Sequence, residues 1–134
     1  MPAAELRLPA EIREAIVSHA LWCLPAEACG LVAVDSSHRL RMAYPLTNVD
    51  ASPTRFTIEA REHFGAVSHA ESRGWDIGGV FHSHPSGSAV LSPTDVDQPH
   101  DPNWFHIVIG QMLDVRAWRI VDGAAVEVTL LTPG

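Results

Sequence analysis

The residues of this chain most able to carry out chemistry are two histidines one residue apart, followed by a serine and an aspartate. They are His82 and His84, then Ser92 and Asp95. Two imidazoles and a carboxylate supply three ligands for one divalent metal ion, with a hydroxyl group beside them. Three protein ligands leave one position of a tetrahedral zinc ion open, which is typical of a catalytic rather than a structural site. The pattern therefore predicts an enzyme.

The predicted local structure would bring these side chains together. Residues 77–81 form a short apolar run that predicts a buried strand, and residues at i and i+2 of a strand lie on the same face. Two histidines at the end of that strand would therefore lie side by side, and Pro85 would end it. Ser92 followed by Pro93 predicts a helix start, with Ser92 as N-cap and Asp95 in the first turn. A Gly/Ser-rich connection allows the strand end and the helix start to meet.

Each of these residues also has an ordinary structural explanation. Ser92 and Asp95 could simply cap a helix, where an acidic group suits the helix dipole. A single histidine is usually a surface residue or a satisfied core residue, which is the expectation for the other six: His19, His38, His63, His69, His100 and His106. These explanations do not account for two strand-end imidazoles placed immediately before a cap, so the metal interpretation is preferred.

A catalytic zinc site also needs a group that takes a proton from the attacking water, and a carboxylate outside the ligand set often does this. Glu27 is the best candidate, since it lies among small and apolar residues between a predicted helix and a predicted strand. An acidic side chain at the entrance to a buried strand is unfavourable without a partner. The alternative for Glu27 is a solvated position in a turn.

The spacing from His82 to Asp95 resembles the JAMM motif of the MPN-domain metalloproteases without a gap. Glu27, within Glu-Ala-Cys-Gly-Leu, is similar to the upstream glutamate of that family, and Asn48 and residues 52–56 resemble a segment of small bacterial members. The resemblance implies a single α/β MPN domain spanning residues 1–134, with a curved mixed sheet flanked by two main helices. It also implies that His82, His84 and Asp95 bind Zn²⁺.

The same resemblance implies roles and a substrate. Glu27 would be the general acid/base and Ser92 would hydrogen-bond the oxyanion of the tetrahedral intermediate. The substrate would be the C-terminus of a ubiquitin-like sulfur carrier protein, from which cysteine or a short peptide is released. An extended carrier tail could add as a strand beside a free sheet edge.

Three other functions remain open at this point. A broader isopeptidase would remove ubiquitin-like modifiers from lysines, although the chain lacks large insertions for holding two partners. The His-Pro-Ser-Gly run also resembles DNA-repair-associated bacterial proteins with the same metal motif. A non-catalytic MPN scaffold is the third, and it is disfavoured because all five motif residues are present.

Composition and charge limit the remaining possibilities. The chain has 134 residues and a formal net charge of −7, with no Lys/Arg cluster, which argues against nucleic-acid binding. Cys23 and Cys29 are too few for a disulfide framework. Charged residues interrupt the N-terminus, so no signal peptide is expected, and no apolar run approaches the roughly 20 residues that cross a bilayer. We expect a cytoplasmic protein, whose oligomeric state is not predicted.

Periodicity predicts alternating helices and strands. Helices are expected at 9–23 and 58–72, an irregular loop at 47–56, and a hairpin turn at Asp122-Gly123. The strands are expected at 30–34, 39–45, 77–81, 104–110, 115–121 and 125–131.

Some residues outside the motif could also contribute. The loops at 45–56 and 85–91 are polar or flexible enough to contact a substrate. Trp104 could stack on a partner, although anchoring a strand edge is the better interpretation. His100 and Asp101 could imitate a second metal pair, but nothing in the sequence places them near the first.

Overall fold

A single mixed sheet of seven strands organises the chain, and the computed structural model describes residues 5–132 of it. In spatial order the strands run β1-β7-β6-β5-β4-β2-β3, with β1–β7 and β4–β5 parallel and the other neighbours antiparallel. An isolated bridge between Arg7 and Arg39 joins the two ends, so the sheet is curled. The strands are β1 (Glu5–Arg7), β2 (Cys29–Val34), β3 (Leu40–Leu46), β4 (Asp76–Ser83), β5 (Phe105–Ile109), β6 (Val115–Val121) and β7 (Ala124–Leu131).

Three helices accompany the sheet: α1 (Ala10–Cys23), α2 (Ala60–Ser72) and the short α3 (Pro93–Asp97). Helical periodicity over 9–23 predicts a buried stripe of Ile12, Ile16, Ala20 and Cys23, and the first three are buried while Cys23 is half-buried. The prediction that the second helix begins at Ile58 is wrong by two residues. Ile58 is held by an isolated bridge to Asn48.

The strands differ from the prediction mainly at their ends. The strand before the two histidines was expected at 77–81, but β4 extends to Ser83, so His82 lies inside the strand. The strand expected at 104–110 is shorter by one residue at each end, as β5. β1 was not predicted, because three residues are too few to show a period. It is nevertheless anchored by Leu6, which is fully buried.

The two faces of the sheet carry different cores. On β5, Phe105, Ile107 and Ile109 pack with Ile16 of α1 in one large apolar cluster. The side chains between them point to the opposite face, as strand alternation requires. That face carries two smaller clusters, one with Ala66 of α2 and one under the loop that precedes α3. Among residues 5–132, no helix has the length and apolar character needed to cross a membrane.

Candidate metal centre

Strand β4 sets the position of the two histidines. His82 pairs with Cys29 of β2 on one side and with Val108 of β5 on the other. Beyond the end of the strand, the backbone N–H of His84 still donates to the carbonyl of Ile109 at 2.8 Å. The extended conformation therefore continues through His84, which brings both imidazoles to the same side of the strand end. The side-by-side arrangement predicted from the spacing is observed.

Asp95 is delivered by the start of α3. Ser92 is the N-cap, and its hydroxyl accepts a hydrogen bond from the Asp95 backbone N–H at 3.1 Å. In return, Asp95 Oδ2 accepts from the Ser92 backbone N–H at 2.9 Å, which completes a capping box. The predicted N-cap, Ser92, and the predicted ligand, Asp95, are therefore the two members of a single capping box. It fixes the carboxylate and leaves the proton of the Ser92 hydroxyl able to donate elsewhere.

Three ligand atoms converge at this point. His82 Nε2 lies 3.1 Å from His84 Nε2, and Asp95 Oδ2 lies 3.3 Å from the former and 3.1 Å from the latter. Zinc–ligand bonds of about 2.0–2.1 Å at tetrahedral angles place neighbouring ligand atoms about 3.3 Å apart. The observed spacings match that value. The donor set, two imidazoles and a carboxylate, is also one that holds a divalent ion with an open position.

The hydrogen bonds around the histidines fit the same conclusion. His84 Nδ1 lies 2.8 Å from the Ser88 carbonyl, which can only accept, so Nδ1 carries a proton and Nε2 is the nitrogen left for a metal ion. The ring of His82 stacks on Phe56 with centroids 4.8 Å apart. His82 Nδ1 is buried without a partner. His82, His84 and Asp95 are the group able to hold a metal ion in residues 5–132.

The pKa shifts of Asp95 and His82 favour the protonation states in which these two groups bind a cation. Although burial opposes it, hydrogen bonds from His82 and His84 keep the pKa of Asp95 well below its usual range. Burial lowers the pKa of His82, which favours the neutral imidazole that metals require. The hydrogen bond to Asp95 raises the pKa of His84, so metal binding would displace a proton from this ring.

Glu27 is held beside the strand end by three backbone ties. Its N–H donates to the Ser52 carbonyl at 2.8 Å, and its carbonyl accepts from Asn48 Nδ2 at 3.1 Å. The next residue, Ala28, donates its N–H to the hydroxyl of Ser83 at 2.8 Å. Ser83 is the residue between the two histidines. The strand that carries the two candidate histidine ligands therefore also fixes the segment that carries Glu27.

The Glu27 side chain is not the solvated turn residue of the alternative explanation. It is 4 % exposed, and its Oε1 is buried without a hydrogen-bond partner. Burial raises the pKa of Glu27 to about 7, while the charge of His84 lowers it and that of Asp95 raises it. A carboxyl group with a pKa near neutrality can both accept and return a proton under ordinary conditions.

A cavity of about 290 Å³ opens next to the ligands, and we call it the side pocket. Its walls include His82 and Asp95 of the metal centre. The other walls come from α2, from the loop before it, and from the segment around β5; they include Phe56, Ile58, His63, His100, Trp104 and His106. From the sequence, His63, His100 and His106 were expected to be surface or satisfied core residues. No local spacing connects them, because they lie on separate elements.

The remaining residues singled out from the sequence have definite positions. His100 lines the side pocket, whereas Asp101 Oδ1 accepts from the Asn103 backbone N–H at 2.8 Å. Trp104 packs against the cluster on the α2 face. Cys23 and Cys29 are both free thiols. The loop at 47–56 reaches the site through Asn48 and Ser52.

Comparison with known proteins places these features in a family. The family described as prokaryotic homologues of the JAB domain matches residues 9–121. The chain is 34 % identical over 114 residues to a desampylase of Haloferax volcanii, which covers 81 % of this chain and 82 % of that protein. It is 31 % identical over 127 residues to a CysO-cysteine peptidase of Mycobacterium tuberculosis, covering 91 % and 87 % of the two chains.

The solved structures agree with this assignment. The fold superposes on the solution structure of a Desulfitobacterium hafniense protein with a TM-score of 0.86 at 30 % identity, covering 96 % of this chain and 92 % of that one. The curled mixed sheet and the convergent His-His-Asp group are those expected from the JAMM resemblance. The chain belongs to the prokaryotic homologues of the JAB domain and is a hydrolase.

Proposed function

We propose that this chain is a zinc-dependent peptidase that hydrolyses an amide bond at the C-terminus of a ubiquitin-like sulfur carrier protein. The observation that carries the proposal is the convergence of His82, His84 and Asp95 beside a buried carboxyl group, Glu27, whose pKa is about 7. The substrate class is supported by the relative that is named a CysO-cysteine peptidase, which matches over most of both chains. Cysteine or a short peptide would be the released group.

In this proposal His82, His84 and Asp95 hold the zinc ion. When bound, zinc supplies Lewis acidity and makes water acidic near neutral pH, with a pKa of about 7. The choice of zinc rests on the His/His/Asp donor set, in which iron or cobalt could substitute. The capping box and the Ser88 carbonyl hold two of the three ligands in orientation before any ion arrives.

Glu27 would move the proton. As a carboxylate it accepts a proton from the attacking water, and as a carboxylic acid it delivers that proton to the leaving amine. A pKa of about 7 suits both steps, because neither protonation state is strongly favoured at neutral pH. The Ser92 hydroxyl, which accepts from Asp95 N–H and keeps its own proton, would donate to the oxyanion of the tetrahedral intermediate.

The runner-up is an isopeptidase that removes ubiquitin-like modifiers from lysine side chains. The match to a desampylase at 34 % identity favours it. Both reactions break an amide after the carrier tail and would use the same five residues, so they differ only in the group that leaves.

The test is an incubation of the zinc-loaded protein with Gly-Gly-ended carriers, some extended by one or two amino acids and others joined to lysine. Products are read by mass spectrometry, with Glu27→Gln and chelator-treated protein as parallel samples. The proposal expects cleavage after the carrier tail that is lost in both parallel samples. Cleavage that survives Glu27→Gln and chelation would contradict the mechanism, and cleavage of lysine conjugates alone would establish the isopeptidase instead.

A further inference from the structure

The side pocket has a size and position that suit part of the substrate. Its volume of about 290 Å³ is at the small end of ligand pockets, enough for a group the size of one residue. Because His82 and Asp95 belong both to its wall and to the metal centre, anything that fills it lies next to the scissile bond. The walls formed by Phe56 and Trp104 make the rest of it largely apolar.

The polar groups of the pocket are imidazoles. His106 is 5 % exposed, and its Nε2 has no hydrogen-bond partner. His100 packs edge-on against it with centroids 5.4 Å apart, and His100 Nδ1 donates to the Gln98 carbonyl at 2.8 Å. His63 lies on the α2 wall. The pocket therefore holds a buried ring nitrogen that a ligand could satisfy.

The charge that favours an anion in the pocket is that of the divalent ion which the neighbouring ligands would hold. Arg119 is not a wall residue: it is 7 % exposed, its guanidinium lies 5.3 Å from the ring centroid of Phe105, and it donates to the carbonyls of Pro102 and Asn103. Burial, followed by the charges of His100, His82 and Arg119, lowers the pKa of His106 to about 4, whereas Asp95 opposes this. Asp95 is the acid of the pocket wall, and a bound divalent ion would more than neutralise it.

These properties select among possible occupants. A purely apolar group would leave the buried nitrogen of His106 unpaired, which is unfavourable. An ammonium group would be repelled by a divalent ion at the adjoining metal centre, with which the pocket shares His82 and Asp95. A carboxylate accepts a hydrogen bond from an imidazole N–H and is attracted by that ion.

The covalent geometry of the substrate then decides which carboxylate can reach the pocket. In a residue attached through its α-amine, the carboxyl carbon lies within about 4 Å of the scissile carbonyl carbon. In a lysine attached through its side chain, the four-carbon stem moves the main-chain carboxyl far from that point. Only an α-linked terminal residue brings a carboxylate next to the metal centre.

We propose that the side pocket binds the α-carboxylate of the leaving amino acid, with His106 and His100 as the specificity-determining residues. The inference rests on the proposed function and narrows it, since it selects a single residue with a free C-terminus over a longer peptide or a lysine conjugate.

The activity arm of the test compares three substrates of the zinc-loaded protein: a Gly-Gly-ended carrier extended by alanine, the same carrier ending in alaninamide, and the carrier joined to a lysine side chain. We expect kcat/KM to be at least about tenfold higher for the free carboxylate than for the amide, since a removed charged hydrogen bond is worth about that much. Equal rates for the carboxylate and the amide would overturn the inference while leaving the peptidase intact.

The variant arm uses His106→Phe, which keeps a ring of similar shape and removes the hydrogen-bonding nitrogen. The preference for the carboxylate should fall to near unity, chiefly through a rise in KM for the substrate with the free carboxylate. If His106→Phe impairs folding because the position is buried, His100→Gln provides the same test at a partly exposed position. His38→Asn is the matched control, because this histidine lies in the β2–β3 turn at a positive φ of 57° that asparagine tolerates. A preference that persists in both pocket variants contradicts the proposal.

A binding arm separates the two proposals, because it needs no turnover. In the zinc-loaded protein, propionate should shift the ring NMR signals of His106 and His100, and propionamide should not. A shift confined to His82 and His84 would mean coordination to the ion and would contradict the inference. This result would support the pocket even if no carrier were cleaved. Absence of a shift at high propionate concentration would overturn the inference whatever the activity of the enzyme.

Discussion

The two faces of the sheet differ in how they use their buried area. The face toward α1 carries one continuous apolar cluster that includes Ile16 and Phe81. The opposite face carries two separate clusters, and between them lie the metal ligands and the side pocket with its unpaired buried nitrogens. Stability is therefore concentrated on one face, whereas the other contains groups whose burial is unfavourable until a metal or a substrate satisfies them.

The largest expected effect on activity comes from the loss of a proposed metal ligand, a change that should affect only the face that carries the site. Asp95→Asn keeps the helix cap but removes the charge, so zinc content should fall and kcat/KM should drop by about 10³-fold or more, since a metal supplies several kcal/mol of transition-state stabilisation. Bound zinc and kcat/KM are measured on the same samples. Asp97→Asn, at an exposed position of the same helix, is the control and should change neither quantity. Full activity in Asp95→Asn would remove this residue from the ligand set.

The converse change affects the apolar face alone. Ile16 is fully buried, so Ile16→Ala should lower the free energy of unfolding by about 2–5 kcal/mol through lost contacts and a cavity. Zinc content and kcat of the folded fraction should stay at the wild-type level. Urea unfolding gives the stability, with Leu21→Ala, half-exposed on the same helix, as a control expected to have a much smaller effect. A proportional loss of zinc affinity in Ile16→Ala would show that the faces are not separable.

The difference between the faces also explains what the sequence could predict. The convergence of the proposed ligands was predictable because their geometry is local: His82 and His84 are two residues apart at a strand end, and Ser92 and Asp95 form one capping box. The α1 stripe was predictable for the same reason, since its period is that of a helix.

The side pocket was not predictable, because no periodicity connects its members. His63 comes from α2 and His106 from β5, and they meet only through the sheet order, which places β5 beside β4. Glu27 was predictable only in part. Its apolar setting indicated burial, but its contact with the strand end depends on the long-range bond between Ala28 and Ser83.

A smaller effect should appear in the stability of a variant that has lost activity. Because the pKa of Glu27 is raised to about 7, the folded state binds a proton more tightly than the unfolded state, and stability falls as pH rises from about 4.5 through 7. Glu27→Gln removes that dependence. The zinc-free variant should therefore be more stable than wild type at pH 8 by roughly 1–3 kcal/mol, and equally stable near pH 4.

The measurement is urea unfolding of zinc-free wild type and variant across this pH range. Glu71→Gln, at an exposed helical position, is the matched control and should show no pH-dependent difference from wild type. If Glu27→Gln were less stable than wild type at pH 8, the carboxylate would have a stabilising partner, and the opposite face would not contain the unfavourable group inferred here.

The smallest expected effect comes from Ser83, a residue whose side chain lies on one face of the sheet but positions a group that acts on the other. Ser83 has the same parity on β4 as Phe81, so its side chain points away from the metal ligands, yet its hydroxyl accepts the Ala28 N–H that fixes the Glu27 segment. Ser83→Ala leaves that N–H unpaired and loosens the position of Glu27. We expect kcat to fall by about tenfold, because small displacements of a catalytic group reduce the rate.

Zinc content should not change in Ser83→Ala, since neither histidine loses a contact. That combination, a lower kcat with full metal occupancy, distinguishes a residue that positions Glu27 from one that holds the metal. Ser86→Ala, at an exposed position of the following loop, is the control and should retain full activity. Zinc loss in Ser83→Ala would instead mean that the strand end itself has shifted, so that the apolar face supports the ligands as well as the proton carrier.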